Sequence, residues 1–425
     1  MGYRHTENEI IPIKLLDFNT ETGSIELLHV IRNYRELRFV DDFAGVGSFT
    51  IEINADIERA NELTVGRYIQ IGNETLRQGV IMAVSRSLST DDSGNVSNNL
   101  VVSGTQLKGL FSYSLTMPEG GLYGDDSDVP LFDEIDTEGR QVVMGGLTYL
   151  GVGSSHDVYE DMRTEDIMRE LVKVNKFQNI LPFQNMPNLE LEPEPVEFRG
   201  IMHDREEFRF KPLSEALQYL AETANLGWYI VIEGDKFVFK IIEGVDRSVE
   251  QSEINPAVFS FNRGNIRRID YDEDTFEMKN QLVVAGAGEG EARELLVVGD
   301  LDDPTKTGIN SRLGFVDARD VRSLVGLITR ARNVIAKNRR RQSIGVQGFS
   351  KKSLLRLGED YNVGDTVTIK VEEWGITLSV QIMSITERQT MNNAGTLEFE
   401  FGTKGLTLES LMQRNFNELN NERLI

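Results

Sequence analysis

The sequence predicts a mainly β protein with α+β insertions: two similar small antiparallel β-barrel domains per chain plus an α-β-β domain. Two observations carry this. Stretches such as Ser48–Ile53 (SFTIEI), Thr366–Val371, Leu378–Ile385 and Leu397–Phe401 alternate apolar and polar residues, the period of half-buried strands. The second observation is that one pattern occurs twice. LTVGRYIQI at Leu63–Ile71 returns as YNVGDTVTI at Tyr361–Ile369. An Ile-Met pair follows each, Ile81-Met82 and Ile382-Met383, 15 residues after the first glycine in one copy and 18 in the other. The next glycine stands 13 residues past each Ile, at Gly94 and Gly395. Each copy closes on an apolar strand ending in glycine, NLVVSG at Asn99–Gly104 and LEFEFG at Leu397–Gly402. An ordered series of this kind indicates a duplicated supersecondary unit.

The elements divide the chain into five segments. Residues 1–115 form the first barrel, with strands at Ser48–Ile53, Tyr68–Ile71 and Val80–Val84, turn chemistry at Asp91–Asn95 (DDSGN) and one short helix over Asp56–Leu63. Residues 116–204 are an acidic insertion. Its flanks, MPEGGLYGDDSDVP and NMPNLELEPEPVEF, are Gly- or Pro-rich and weakly periodic; between them Thr164 caps a helix over Glu165–Asn175 with Ile167, Leu171, Val172 and Val174 on or near one face. Residues 205–254 are the α-β-β unit: a capped helix at Ser214–Asn225, stopped by Gly227, then the hairpin WYIVIEGDKFVFKII turning at Gly234-Asp235. Residues 255–403 hold the second barrel, strands at Ala257–Phe261 and Gln281–Ala285, and a long helix over Val316–Asn338 in which Leu324, Leu327, Ile328, Ala331, Val334 and Ile335 recur at helical spacing. Residues 404–425 carry a last helix, Leu408–Leu419, and a polar tail.

A length of 425 residues suggests two to four domains, and 40 % hydrophobic content supplies ample core. The balance is acidic, 68 Asp+Glu against 45 Lys+Arg, net -23. That disfavours adhesion to DNA or to an anionic membrane, which needs clustered cations, and leaves open a passage through which DNA slides without sticking. With no cysteine, disulfides and thiolate zinc sites are impossible. No apolar run approaches the ~18 residues of a spanning helix. The start, MGYRHTENE, lacks the apolar core of a secretion signal.

Few motifs point to chemistry. Gly286, Gly288 and Gly290 follow a strand, as in a dinucleotide loop, but Glu291 stands where the third glycine belongs and Glu289 and Glu294 would repel a pyrophosphate. A flexible hairpin tip is the better reading. Gly124–Asp136 (GDDSDVPLFDEID) is rich in carboxylates yet lacks the EF-hand spacing, so it reads as a solvated acidic loop. His5, His29, His156 and His203 fall in no H-E-x-x-H, and no G-x-S-x-G occurs. The basic run Lys337–Gln342 (KNRRRQ) closes the long helix, where cations are favoured. No catalytic, cofactor or metal residue is assigned.

RNYRELRFVDDFAGVGSFTIEI at Arg32–Ile53, EGVDRS at Glu243–Ser248 after the α-β-β unit, FVDARD at Phe315–Asp320 before the helix, and YNVGDTVTI…WGITLSVQIMSITE follow one another in an order similar to the siphophage tail-associated hub family, related in fold to the baseplate hub of contractile tails. The resemblance runs from about residue 12 to 403. It implies a non-enzymatic virion protein at the tail tip, made in the host cytoplasm. Three chains, each with two barrels, would present a pseudo-sixfold ring. The ring would adapt the sixfold tail tube or distal tail ring to a threefold tip and surround the DNA exit. Implied partners are two further copies, the distal tail protein or tube ring, the tape measure protein, and a separate spike, fibre or receptor-binding protein, since the chain stops soon after its second barrel; DNA is met only in transit.

The ring is expected to use the strands Ser48–Ile53, Tyr68–Ile71, Thr366–Val371 and Leu378–Ile385. Two loops read as exposed and pseudo-equivalent, Gly72–Gln78 and Glu372–Gly375. The interface residues expected from them and their flanks are Arg67, Gly72, Asn73, Glu74 and Arg77, and Glu372, Glu373, Trp374 and Gly375. The alternatives are a carboxylate-based hydrolase of cell-wall polymer or surface polysaccharide, and a receptor- or sugar-binding module in which Trp228 and Tyr229 stack on the ligand.

Overall fold

The computed structural model describes residues 10–117 and 157–402, with short gaps at 20–21, 91–92, 178–181, 209, 289, 291–292, 300, 320, 322–323, 339–340, 350–354, 375 and 392. His5, the acidic loop Gly124–Asp136, His156 and the helix expected at Leu408–Leu419 lie outside the described residues.

The first half contributes β1 (Ile13–Asn19), β2 (Ser24–Ile31), β3 (Glu36–Asp42), β4 (Ser48–Asn54), β5 (Tyr68–Ile71), β6 (Gln78–Thr90) and β7 (Val96–Gln106). They lie antiparallel in the order β3-β4-β7-β6-β5-β1-β2. Alternation decides the buried face: Leu37, Phe39, Phe49, Ile51, Ile53, Leu100 and Val102 all point into one core. The helix expected at Asp56–Leu63 shrinks to a single 3-10 turn, Ala60–Glu62, because Arg59 before it is left-handed (φ 63) and cannot continue an α-helix.

The middle of the chain builds β8 (Asp157–Arg163), α1 (Thr164–Lys176), β9 (Leu189–Leu191), β10 (Met202–Phe208), α2 (Leu213–Ala224), β11 (Leu226–Glu233) and β12 (Lys236–Glu243). The hairpin β11–β12 turns at Gly234 (φ 61) as expected, and β9 adds to β12 in parallel. The expected caps do not form. Thr164 Oγ1 instead meets His203 Nε2 at 2.9 Å and donates to the Ile201 carbonyl at 3.2 Å, and Ser214 Oγ meets Ser112 Oγ at 2.9 Å. α2 ends on Asn225 in a left-handed conformation (φ 54), not on Gly227. Gly227 lies within β11, where a Cβ would stand 2.4 Å from Phe43, so its role is close packing. The extended segment after β9 is pinned by the buried Glu165 of α1. That carboxylate accepts the Arg199 backbone N–H at 2.8 Å and both the Arg199 and Arg169 guanidinium groups. Burial alone would raise its pKa; the hydrogen bonds from Arg199 and Arg169 hold it below the ordinary value. α1, α2 and the hairpin share one core with Leu16, Val80, Leu107 and Phe111 of the first half.

The rest forms β13 (Val258–Phe259), β14 (Ile266–Asp274), β15 (Gln281–Ala285), β16 (Leu295–Gly299), β17 (Leu313–Asp317), α3 (Leu324–Lys337), β18 (Arg341–Phe349), β19 (Thr366–Val371), β20 (Ile376–Thr390) and β21 (Asn393–Gly402). The long helix expected from Val316 begins only at Leu324, because Val316 is taken by β17 in a parallel pairing with β15. β15–β17 make a separate sheet, and Leu282 and Val284 pack there against Leu327 and Ala331 of α3. The glycines at 286–290 are the hairpin tip between β15 and β16, closed by the Gly286 N–H on the Glu294 carbonyl at 2.8 Å.

The duplicated pattern is a duplicated structure. β14-β18-β21-β20-β19 follow the order of β3-β4-β7-β6-β5. Gly66 and Gly364 share φ values of 91 and 92. Gly66 N–H donates to the Ile81 carbonyl and Ile81 N–H returns to Arg67; Gly364 N–H donates to Ile382 and Ile382 N–H returns to Asp365. Each ladder then slips by one residue at the same place, between Ile81 and Ala83 and between Ile382 and Ser384, a β-bulge at Met82 and at Met383.

Neither half closes into the expected barrel. β20 is 15 residues long. Residues 376–381 pair with β19, and residues 384–390 pair with β3. A strand of that length reaches beyond its own unit, so both halves merge into one open 13-stranded sheet.

Candidate functional site

The joint between the two repeats holds a cluster of buried polar groups. Arg77, at the end of the β5–β6 loop, pairs with Glu387 on β20, and its guanidinium lies 5.1 Å from the centre of the Phe39 ring on β3. Gln389 on β20 accepts from the Tyr34 hydroxyl and from the Ile11 N–H at 3.2 Å. Beyond the end of β3, Lys108 is buried, donates to the carbonyls of Asp42 and Phe43, and sits 4.2 Å from the Tyr229 ring centre. Asp41 accepts from the Tyr229 hydroxyl at 3.0 Å and from Gln106 at 2.8 Å. Burial pushes the Asp41 carboxyl up; Lys108, Gln106 and Tyr229 pull it back. Burial, reinforced by Asp41, raises the Tyr229 hydroxyl far above its usual range.

A cleft of about 250 Å³ runs along this joint, lined by Asp41, Glu74, Arg77, Tyr229, Asp365 and Glu387 among others. Three of its acids hold structure. Asp365 accepts from Val245 N–H and Arg247 Nε, both at 2.8 Å, and from Asn362 N–H at 2.9 Å. Glu387 is held by Arg77 and Asp41 by Tyr229. What the arrangement does is lock one repeat to the other.

The expected interface residues split into two groups. Asn73 is exposed and Glu74 half-buried at the rim of the cleft; Glu372 and Glu373 are exposed in the short turn Glu372–Trp374 after β19. Both loops follow equivalent strands, β5 and β19. Arg67 is half-buried and holds Asp17 Oδ2 at 3.1 Å. Gly72 is buried, its N–H on the Pro12 carbonyl at 2.8 Å. Arg77 is buried too, so the loop Gly72–Gln78 is not exposed throughout: its second half turns inward because Arg77 meets Glu387 there. Trp374 lies in the turn, and Gly375 falls outside the described residues. The sugar-stacking reading of Trp228 and Tyr229 is overturned, since the two rings are 0 % and 2 % exposed in the core.

Residues 153–403 match the family model described as Siphovirus ReqiPepy6 Gp37-like protein. The chain belongs to that family. No curated protein matches it in sequence. Among solved structures, the 43 kDa tail protein of prophage MuSo2 from Shewanella oneidensis is similar at 12 % identity and a TM-score of 0.52, covering 92 % of this chain and 98 % of that one. The tail protein from Neisseria meningitidis MC58 is similar at 16 % identity and a TM-score of 0.51, covering 93 % and 97 %. This family member therefore has the fold of phage tail proteins, and the expected place in the virion tail agrees with family and fold. No described helix is long and apolar enough to cross a membrane. Sequence reading missed Glu387 and Gln389 as parts of the joint; their polar identity on the inward side of β20 was the one available signal.

Proposed function

We propose that this family member is a non-enzymatic structural hub at the distal end of the tail: a homotrimer whose six repeats form a pseudo-sixfold ring around the DNA exit channel. One observation carries this reading: two equivalent five-strand units lie edge to edge in a single chain, so three chains supply six similar lobes under threefold symmetry. The ring would adapt a sixfold tube or distal tail ring, with the tape measure protein above, to a threefold spike, fibre or receptor-binding protein below. A net charge of -23 suits a channel that must not retain DNA. Asn73, Glu74, Glu372 and Glu373 are the residues proposed to face a neighbouring ring. The pairing of the loops predicts that reversing charge in both, Glu74→Lys with Glu373→Lys, weakens binding to a distal tail ring more than either change alone; equal losses from single and double variants would contradict it.

The deciding experiment is the absolute mass of the purified protein by light scattering, then particle averaging. A mass of ~144 kDa, three times the 48.0 kDa chain, in a ring of six lobes supports the hub. A monomer both in solution and in assembled tails overturns it.

A further inference from the structure

We infer that neighbouring copies join by strand pairing, the outer half of β6 in one copy adding to β14 of the next, with Ser87 opposite Asp270. The inference rests on the hub reading and names the contact that builds its ring.

One repeated strand meets two different fates. β20 and β6 are equivalent, matched at Ile382 and Ile81 and at the bulge that follows. The outer half of β20 is covered by β3, and Ser384, Ile385 and Gln389 are buried there. The outer half of β6 has only β7 beside it among the described residues, and nearly all of residues 83–90 are exposed. Leu88 is 71 % exposed, while its counterpart Gln389 is 3 % exposed. Such an edge, exposed and with an uncovered leucine near its tip, is a template for another strand.

The strand that would fill it is identified by the same symmetry. Crossing the first repeat from Ala83, the partners are Ser103, Thr50 and Arg38 on β3. Crossing the second from Ser384, they are Glu400, Gly345 and Asp270 on β14. Asp270 thus holds the position of Arg38, and β14 that of β3. β3 is paired on both sides, whereas β14 is paired only with β18 among the described residues. Among the described residues the chain therefore carries two unpaired edges of complementary kind. Within the chain Arg388 lies opposite Arg38 and Gln389 opposite Leu37. Their counterparts put Ser87 opposite Asp270 and Leu88 opposite Ile269, an apolar cross-strand pair that would cover the exposed leucine. The contact is head-to-tail, so it repeats from copy to copy and closes when the rotation does.

The chain has no cysteine, so Ser87→Cys with Asp270→Cys introduces one possible disulfide. Both positions are exposed. Directly opposite residues place their Cα atoms about 4.5–5.5 Å apart, within disulfide reach. After mild oxidation a trimer should run as three linked chains on a non-reducing gel. Ser85→Cys with Asp270→Cys, two residues out of register, should not link. Hydrogen exchange on the unaltered protein supplies a second readout: amides of residues 84–90 should be as protected as those of 384–390. A trimer by light scattering that neither links through 87 and 270 nor protects 84–90 overturns the strand pairing and leaves the hub standing. Linking of both cysteine pairs alike overturns the register. A chain that is monomeric in solution and in assembled tails overturns both the pairing and the hub.

Discussion

Arg77 places a buried ion pair in the repeat joint beside the β3–β20 ladder. Its guanidinium and the Glu387 carboxylate are 8 % and 12 % exposed, and the two residues stand 310 apart in sequence. Removing one partner leaves a buried charge, so Arg77→Ala should cost about 3–5 kcal/mol in urea unfolding, and Arg77→Ala with Glu387→Ala less than the sum of the two single losses. Nothing local marks this pair. An arginine in a Gly-Asn-Glu loop reads as solvated, because the sequence carries no sign of a partner so far along the chain. Lys176 makes a second test. Burial lowers its ammonium pKa to about 8. The unfolded chain, with an ordinary lysine near 10.4, then binds the extra proton between the two values, so this group's penalty on stability is full below about pH 8 and fades as pH rises toward 10. Lys176→Met should be most stabilising relative to the parent at pH 7, and the difference in Tm should shrink by pH 10.

At the scale of elements, the strands were the legible part, because alternation is local and strands on a half-buried sheet must show it. Tyr68–Ile71 and Thr366–Val371 form with the limits expected of them, and so does Gln281–Ala285, an apolar run buried on both faces that shows no alternation. Helix starts were less legible. Thr164 and Ser214 have the right chemistry for caps, but tertiary partners, His203 with Ile201 and Ser112, take their hydroxyls. The paired glycines separate conformation from packing. Gly66 and Gly364 have the same backbone geometry, yet a Cβ at Gly66 meets open space and one at Gly364 would stand 2.2 Å from Phe43. Gly66→Ala should cost about 1–2 kcal/mol for the left-handed conformation alone. Gly364→Ala should cost a further ~1–3 kcal/mol for the clash, and the difference in unfolding free energy between the variants measures it.

For the whole molecule, repetition was legible and closure was not. The first glycine and the Ile-Met pair keep their backbone roles in both copies, as a left-handed turn and a bulge, whereas Gly94 lies in a hairpin turn and Gly395 within β21, and Gly104 lies within β7 and Gly402 at the end of β21. Which strand edge meets which is a long-range matter with no periodic signature, so two barrels were expected where one open sheet forms. The core of the α-β-β segment was hidden for the same reason. Trp228 Nε1 donates to the Ala44 carbonyl at 2.7 Å, and Phe111 stacks on Trp228, contacts 184 and 117 residues apart in the chain.

The joint between β3 and β20 also bears on how fast a ring can assemble. In a ring of three such chains, every second joint is made when the chain folds and not when copies meet. Its two sides are tethered, so they find each other at a local concentration that dilution cannot lower. Six lobes then need three joints between molecules in place of six, and a half-built ring can lose lobes only in pairs.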